Sequence, residues 1–134
     1  MKLRIKGNSL RLRLGPAEVE RLLADGRVEE TIHFAADENA RLTYALELTD
    51  ASGDLALSYQ TGEVTVLLSR DRAHRWSSGG EVSIAGEAAV GSSQLQLLVE
   101  KDFACLDRDK DRDTGRDPGR DKDTFPNPKA GVVC

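Results

Sequence analysis

The sequence predicts a mainly β domain, with α+β as the neighbouring class. It reads as an internally duplicated β-barrel of two strand-strand-helix-strand-strand halves, followed by a disordered charged C-terminal tail. Three observations carry this expectation. Apolar and polar residues alternate with period two through most of the first hundred positions, which is the signature of half-buried strands. The chain aligns with itself at an offset of 54 residues. Beyond residue 104 the composition shifts to a low-complexity run in which the strand pattern ends. The domain is therefore expected over residues 1–104, with halves at about 1–50 and 51–104, and the tail over 105–134.

The elements follow in order. Leu3 and Ile5 form one apolar stripe and Leu10, Leu12 and Leu14 a second, with Gly7-Asn8-Ser9 as the turn of a hairpin. Gly15-Pro16 opens a helix, because proline at the first helical position gives up an N–H that has no partner there. Val19, Leu22 and Leu23 share one face of that helix, and Gly26 ends it. Strands are expected over 28–34 and 42–48, separated by the polar loop at Asp37-Glu38-Asn39. After a turn at 50–54, strands over 55–59 and 64–68 form a hairpin about Thr61-Gly62. A helix over about 70–77, a stop at Gly79-Gly80, and strands over 82–84 and 95–99 complete the body.

At the offset of 54, Leu3 falls on Leu57, Leu10 on Val64, Leu12 on Val66 and Leu14 on Leu68. The helices superpose with Val19 on Ala73, Arg21 on Arg75 and Leu22 on Trp76, after which Gly26 meets Gly80 and Val28 meets Val82. At 53, the segment 42–47 overlays 95–100. Alternating strands self-align in some register by themselves. The common spacing from the strand-ending leucine through the helix to the glycine is what periodicity alone does not supply. One half cannot cover both faces of its own sheet, so two halves are expected to interlock with pseudo-twofold symmetry into a closed or nearly closed barrel. Trp76, Tyr44 and Tyr59 fall on apolar faces and are expected in the core.

Bulk properties narrow the function classes. With 134 residues and the tail set aside, there is room for one core. The opening Met1-Lys2-Leu3-Arg4-Ile5-Lys6-Gly7 lacks the apolar run of a signal peptide, and no window approaches a membrane span of roughly 18 apolar residues. A cytoplasmic protein with reduced Cys105 and Cys134 is expected, and no membrane partner. The formal net charge of −4 hides an asymmetry, since residues 1–14 carry five cations and no acid.

Those cations are the best candidate site. Lys2, Arg4 and Lys6 point away from Leu3 and Ile5, and Arg11 and Arg13 point away from the leucines, so pairing of the strands puts all five on one surface. Such a surface suits phosphates, through Coulomb attraction and bidentate arginine contacts, with Asn8 and Ser9 as further donors in the turn. The competing reading is a solvated face whose charges pair with Glu29, Glu30 or other acids.

The run Lys6-Gly7-Asn8-Ser9-Leu10-Arg11-Leu12-Arg13-Leu14, followed by Pro16, Glu18-Val19, Gly26 and Val28-Glu29, resembles the N-terminal domain of MazE/AbrB-type antitoxins and transition-state regulators. The resemblance covers about residues 2–32. It implies a swapped-hairpin barrel that binds DNA, made in that family by two chains. In the second half the turn reads Thr61-Gly62-Glu63 and the basic residues are nearly absent, so one half is basic and the other neutral. The opening, together with residues 97–103 and Phe125-Pro126-Asn127-Pro128, also resembles a family of short bacterial proteins of uncharacterised function, over most of the chain.

The function expected is a non-enzymatic binding module, with DNA or a protein as its partner and no cofactor. A protein-interaction domain acting through its tail is the alternative. In the tail, Phe125 between stiff prolines suits docking, and the resembled antitoxins wrap a toxin with an extended tail. A zinc or thiol site at His33, His74, Cys105 and Cys134 is a further alternative, although no pair has ligand spacing. Seven aspartates in 107–123 invite a calcium reading, but six basic residues lie among them and Arg112 stands where such a loop needs glycine.

Overall fold

The structure, a computed structural model, describes residues 1–51 and 53–103. Cys105, Cys134, the aspartate run and Phe125-Pro126-Asn127-Pro128 lie outside the described residues, so the tail, thiol and calcium readings do too. Met1–Asp102 form one compact unit.

Among the described residues, eight strands and two helices follow one another in the order the sequence predicts. The first half holds β1 (Lys2–Lys6), β2 (Ser9–Leu14), α1 (Pro16–Asp25), β3 (Arg27–His33) and β4 (Arg41–Thr49). The second holds β5 (Leu55–Gln60), β6 (Glu63–Ser69), α2 (Arg70–Ser78), β7 (Ser83–Val90) and β8 (Ser93–Lys101).

The strands form two four-stranded sheets, not a closed barrel. One has the order β1-β2-β8-β7 and the other β3-β4-β6-β5. Each sheet takes one hairpin from each half, and the two hairpins meet through a parallel central pair, β2 with β8 and β4 with β6. The connection from β2 to β3 runs through α1, and that from β6 to β7 through α2, so the chain changes sheets at each helix. Both sheets have the same build, and the registers agree: Ser9 is opposite Gln96 in one, and Glu63 is opposite Thr43 in the other.

The core fills the space between the sheets. Leu10, Leu12 and Leu14 of β2 and Leu97 and Val99 of β8 face Leu46 and Leu48 of β4 and Val66 and Leu68 of β6, all buried. At the helix end, Leu22 and Trp76 are both 0% exposed, as their superposition predicts. The Trp76 indole N–H donates to Val82 O at 3.2 Å, so its polar atom is paired inside the core. Gly26 ends α1 at φ +82, a left-handed conformation that costs glycine no Cβ clash, and its N–H donates to Leu22 O. In α2 the Ser69 hydroxyl caps the first turn by accepting from Arg72 N.

Several expectations are corrected. Val28 is buried, but Val82 is 48% exposed and precedes β7; the partner of Val28 is Ile84. Val28 lies opposite Leu46 as Ile84 lies opposite Val99, so two extra residues sit between α2 and β7. Here α2 ends on extended Gly79, without the left-handed glycine that turns the chain straight into β3. Tyr59 is 67% exposed, not core, because it lies near the hairpin end of β5, where the sheets no longer cover one another; Tyr44 is half-buried. Ser9 belongs to β2, leaving Gly7-Asn8 as the turn. β7 and β8 extend to Val90 and back to Ser93, well past the predicted ends.

Two contacts outside the core yield tests. Edge strands β5 and β7 approach closely at Gly86, where an added Cβ would lie 3.0 Å from Leu55 Cβ. Gly86→Ala should lower stability by about 1–3 kcal/mol, through overpacking, and adding Leu55→Ala should recover part of that loss. Thermal melts of the two single variants and the double variant measure the coupling. If Gly86→Ala melts like the wild type, this approach carries no packing constraint.

The second contact is at the start of α1. Glu18 accepts from Gly15 N at 3.0 Å and pairs with the Met1 α-ammonium, which also meets Glu30 at 2.8 Å. Burial pushes the Glu18 carboxyl up, but the ammonium and the Gly15 N–H outweigh it and hold it below its ordinary 4.5. A carboxylate with a folded pKa below its unfolded one stabilises at neutral pH, and that contribution is lost as pH falls through the folded value. Glu18→Gln should therefore cost about 1 kcal/mol at pH 7 and nothing well below the carboxylate range. Melts across that pH interval check this, and a difference independent of pH would refute it.

Candidate polyanion-binding face

The outward face of the β1-β2-β8-β7 sheet is built in rows by its pairing. Lys2, Arg13, Glu100 and Ser83 form the row nearest the helices. Arg4, Arg11, Leu98 and Ala85 form the middle row. Lys6, Ser9, Gln96 and Glu87 form the row at the hairpin end. The five cations predicted to share a surface are thus together on β1 and β2. Neighbours within a row lie about 5 Å apart across strands, and successive rows about 6.8 Å apart along them.

The acids that pair with this face are others than Glu29 and Glu30. Glu29 pairs with Arg27, and Glu30 with the α-ammonium. The acids that enter the basic face come from the end of β8 and the residue just past it. Glu100 accepts from Arg13 Nε at 2.6 Å and lies 3.5 Å from Arg11 Nε, while Lys2 meets Asp102 at 2.9 Å. Donation from Lys2, with burial opposing it, holds the Asp102 carboxyl below its ordinary range, so this pair is intact at neutral pH. Among the described residues, Arg4 and Lys6 have no ion-pair partner.

Asn8 and Ser9 serve the hairpin itself. The Asn8 side-chain amide donates to Gln94 O at 2.6 Å, and Asn8 O accepts from Gln96 N, stitching the β1-β2 turn to β8. The Ser9 hydroxyl donates to Lys6 O. These bonds fix the turn beside Lys6 and use the donors the sequence offered to a ligand.

The other sheet carries a second polar cluster, which the sequence reading missed. Arg27 reaches across buried Ala45 to meet Glu47 at 2.8 Å, Glu63 at 2.6 Å and Glu29 at 3.2 Å. Burial opposes the Arg27 charge, but the three carboxylates outweigh it and raise its pKa. A groove of about 290 Å³ runs beside this cluster, with Ser58, Gln60, Thr65 and Leu67 on its other walls. Arg27 and the glutamates sit at outward positions of β3, β4 and β6, and only the pairing of those strands brings them together. All three carboxylates share the one Arg27 guanidinium, and the arrangement ties three strands together.

His33 lies at the hairpin end of β3 and His74 on α2, at the other end of the domain, so the two are not brought together. No group of three metal-ligating side chains occurs among the described residues. No helix among them is long and apolar enough to cross a membrane.

Like charges directly opposite one another weaken a sheet, and Lys2 faces Arg13 while Arg4 faces Arg11. Arg4→Thr should leave the fold intact and raise stability by a few tenths of a kcal/mol, roughly the cross-strand scale. Glu100→Gln removes the counter-ion shared by two arginines and should cost about 1–2 kcal/mol. Denaturant melts decide. Loss of stability in Arg4→Thr would mean that Arg4 is held by structural contacts, not by a ligand.

Residues 1–129 match the model of a family of unknown function (DUF7009). No curated protein and no solved structure matches the chain.

Proposed function

The chain belongs to the family of unknown function DUF7009, and from that membership, which brings no activity with it, we propose a non-enzymatic module that binds DNA through the outward face of its first sheet. The observation that supports this most is the gathering of Lys2, Arg4, Lys6, Arg11 and Arg13 on one surface, with Lys2 opposite Arg13 and Arg4 opposite Arg11. Charges kept at a cost to stability point to function. Side chains of this type bind a duplex by releasing its counterions.

The resemblance to the MazE/AbrB-type domain supports the same reading. In that family two chains interlace hairpins, and here one chain places a hairpin from each half in each sheet. We read the protein as a fused and diverged form of such an arrangement, basic in one half only. A single basic face contacts the backbone but does not present the two equivalent surfaces that read a palindrome, so the binding is weakly selective for sequence.

Two acids offset two of the five cations, leaving up to three for phosphates. The logarithm of the binding constant should then fall with that of salt concentration with a slope of about −3, near −0.9 per phosphate. Electrophoretic shifts or fluorescence anisotropy at low and moderate salt measure it. The variant with Arg4, Lys6, Arg11 and Arg13 changed to alanine should lose binding while still melting cooperatively, at a temperature lowered by the loss of the Glu100 ion pairs. Failure of the intact protein to bind any duplex at low salt would remove this function.

A further inference from the structure

The five cations are not equivalent, and the difference narrows the site just proposed. In the row nearest the helices, Lys2 and Arg13 face Asp102 and Glu100, so two positive and two negative charges cancel. Glu100 sits on a central strand, its side chain 13% exposed, and is fixed by Arg13. Arg11 is shared, since its Nε lies 3.5 Å from the same carboxylate oxygen. Towards the hairpin end, Arg4 and Lys6 have no acidic partner among the described residues, and the acid of that row, Glu87, lies on the far edge strand accepting from Gln96. The positive field is therefore concentrated on one corner of the sheet.

We infer that the phosphate-binding site is this corner, formed by Arg4, Lys6 and Arg11, and that Glu100 is a built-in competitor that holds Arg13 away from the ligand and weakens the grip of Arg11. The inference rests on the DNA-binding reading. The corner is an open sheet surface without walls, so one free phosphate would keep its hydration and gain little. A polyanion gains from releasing counterions at several contacts at once. The outward residues of the three rows are charged, small polar or aliphatic, with no aromatic side chain on which an unstacked base could lie. A single strand lacks its main source of affinity on such a surface, and a duplex backbone does not. The class assigned is thus the phosphodiester backbone of duplex DNA.

The roles of the two acids also differ. Asp102 pairs with Lys2, whose side chain is 71% exposed and can swing away. Glu100 is enclosed between two guanidinium groups and stays in the face when a ligand arrives. Removing its charge should expose Arg13 and release Arg11, adding a phosphate contact.

The test is anisotropy with one labelled duplex and its single strand, at low salt, on the full chain and single variants. Arg4→Ala, Lys6→Ala and Arg11→Ala should each weaken duplex binding several-fold and reduce the salt slope by about one. Lys2→Ala and Arg13→Ala should each weaken binding less than any of these three. Glu100→Gln should bind tighter, with a steeper slope, and the single strand should bind more weakly than the duplex.

Equal losses at all five cations would overturn the corner while leaving DNA binding in place. Unchanged affinity in a folded Glu100→Gln variant would overturn the competitor. Single-strand binding as tight as duplex binding would overturn the assigned class. If neither the unaltered chain nor Glu100→Gln binds, the DNA reading fails and this inference with it. Should Glu100→Gln not fold, the comparison of Arg4→Ala with Lys2→Ala, both at exposed positions, decides the corner.

Discussion

Two parallel strand pairs, β2 with β8 and β4 with β6, hold the rest of the structure in place. Each joins a strand from one half of the chain to a strand from the other, so neither half completes a sheet by itself. Parallel neighbours need a long connection, and here almost the whole body lies between Ser9 and Gln96. The core follows from that pairing. It aligns Leu10 with Leu97 and Leu12 with Val99 in one sheet, and Tyr44 with Val64 and Leu46 with Val66 in the other. A slip of one residue in either pair would turn every one of these side chains to the outside.

The helices complete the constraint. Each carries the chain from one sheet to the other and places one large side chain, Leu22 or Trp76, at the end of the core. Leucine and tryptophan differ greatly in volume, so the two helices fill that end of the core unequally although they are built alike. The longer passage from α2 to β7 goes with this, since the indole needs the Val82 carbonyl as its partner and that residue lies in the added segment.

Much of this was legible in the sequence because strand alternation and turn residues are local signals. The eight strands, both helices and the buried Leu22–Trp76 equivalence could all be read. The start of β7 could not: the expected partner of Val28 was Val82, and an apolar residue at the right spacing gives no warning that the helix before it ends differently. Tyr59 misled for a related reason, since alternation tells which face a side chain is on and not how far along the strand the opposite sheet reaches. At the site, alternation sufficed to gather five cations. Glu100 and Asp102, some ninety residues away, reach the cations of β1 and β2 only through a pairing that no local pattern specifies. Arg27 and its three glutamates stayed hidden on the same ground.

The two outward faces show what the shared build leaves free. On the β3-β4-β6-β5 sheet a single arginine is surrounded by carboxylates, and the network binds three strands together. On the β1-β2-β8-β7 sheet the signs are reversed: five cations share two acids as ion-pair partners, and arginine is set opposite arginine. A sheet selected for stability alone would set opposite charges across its strands, as Arg27 and Glu47 are set on the other face. The second face departs from that rule at the corner where Asn8 ties the hairpin turn to β8, so the unbalanced charges stand on a rigid support. Rigidity lets such a surface meet a polyanion without first paying to order its own backbone. On the function proposed above, the charges held at a cost on this face are the ones a polyanion would balance.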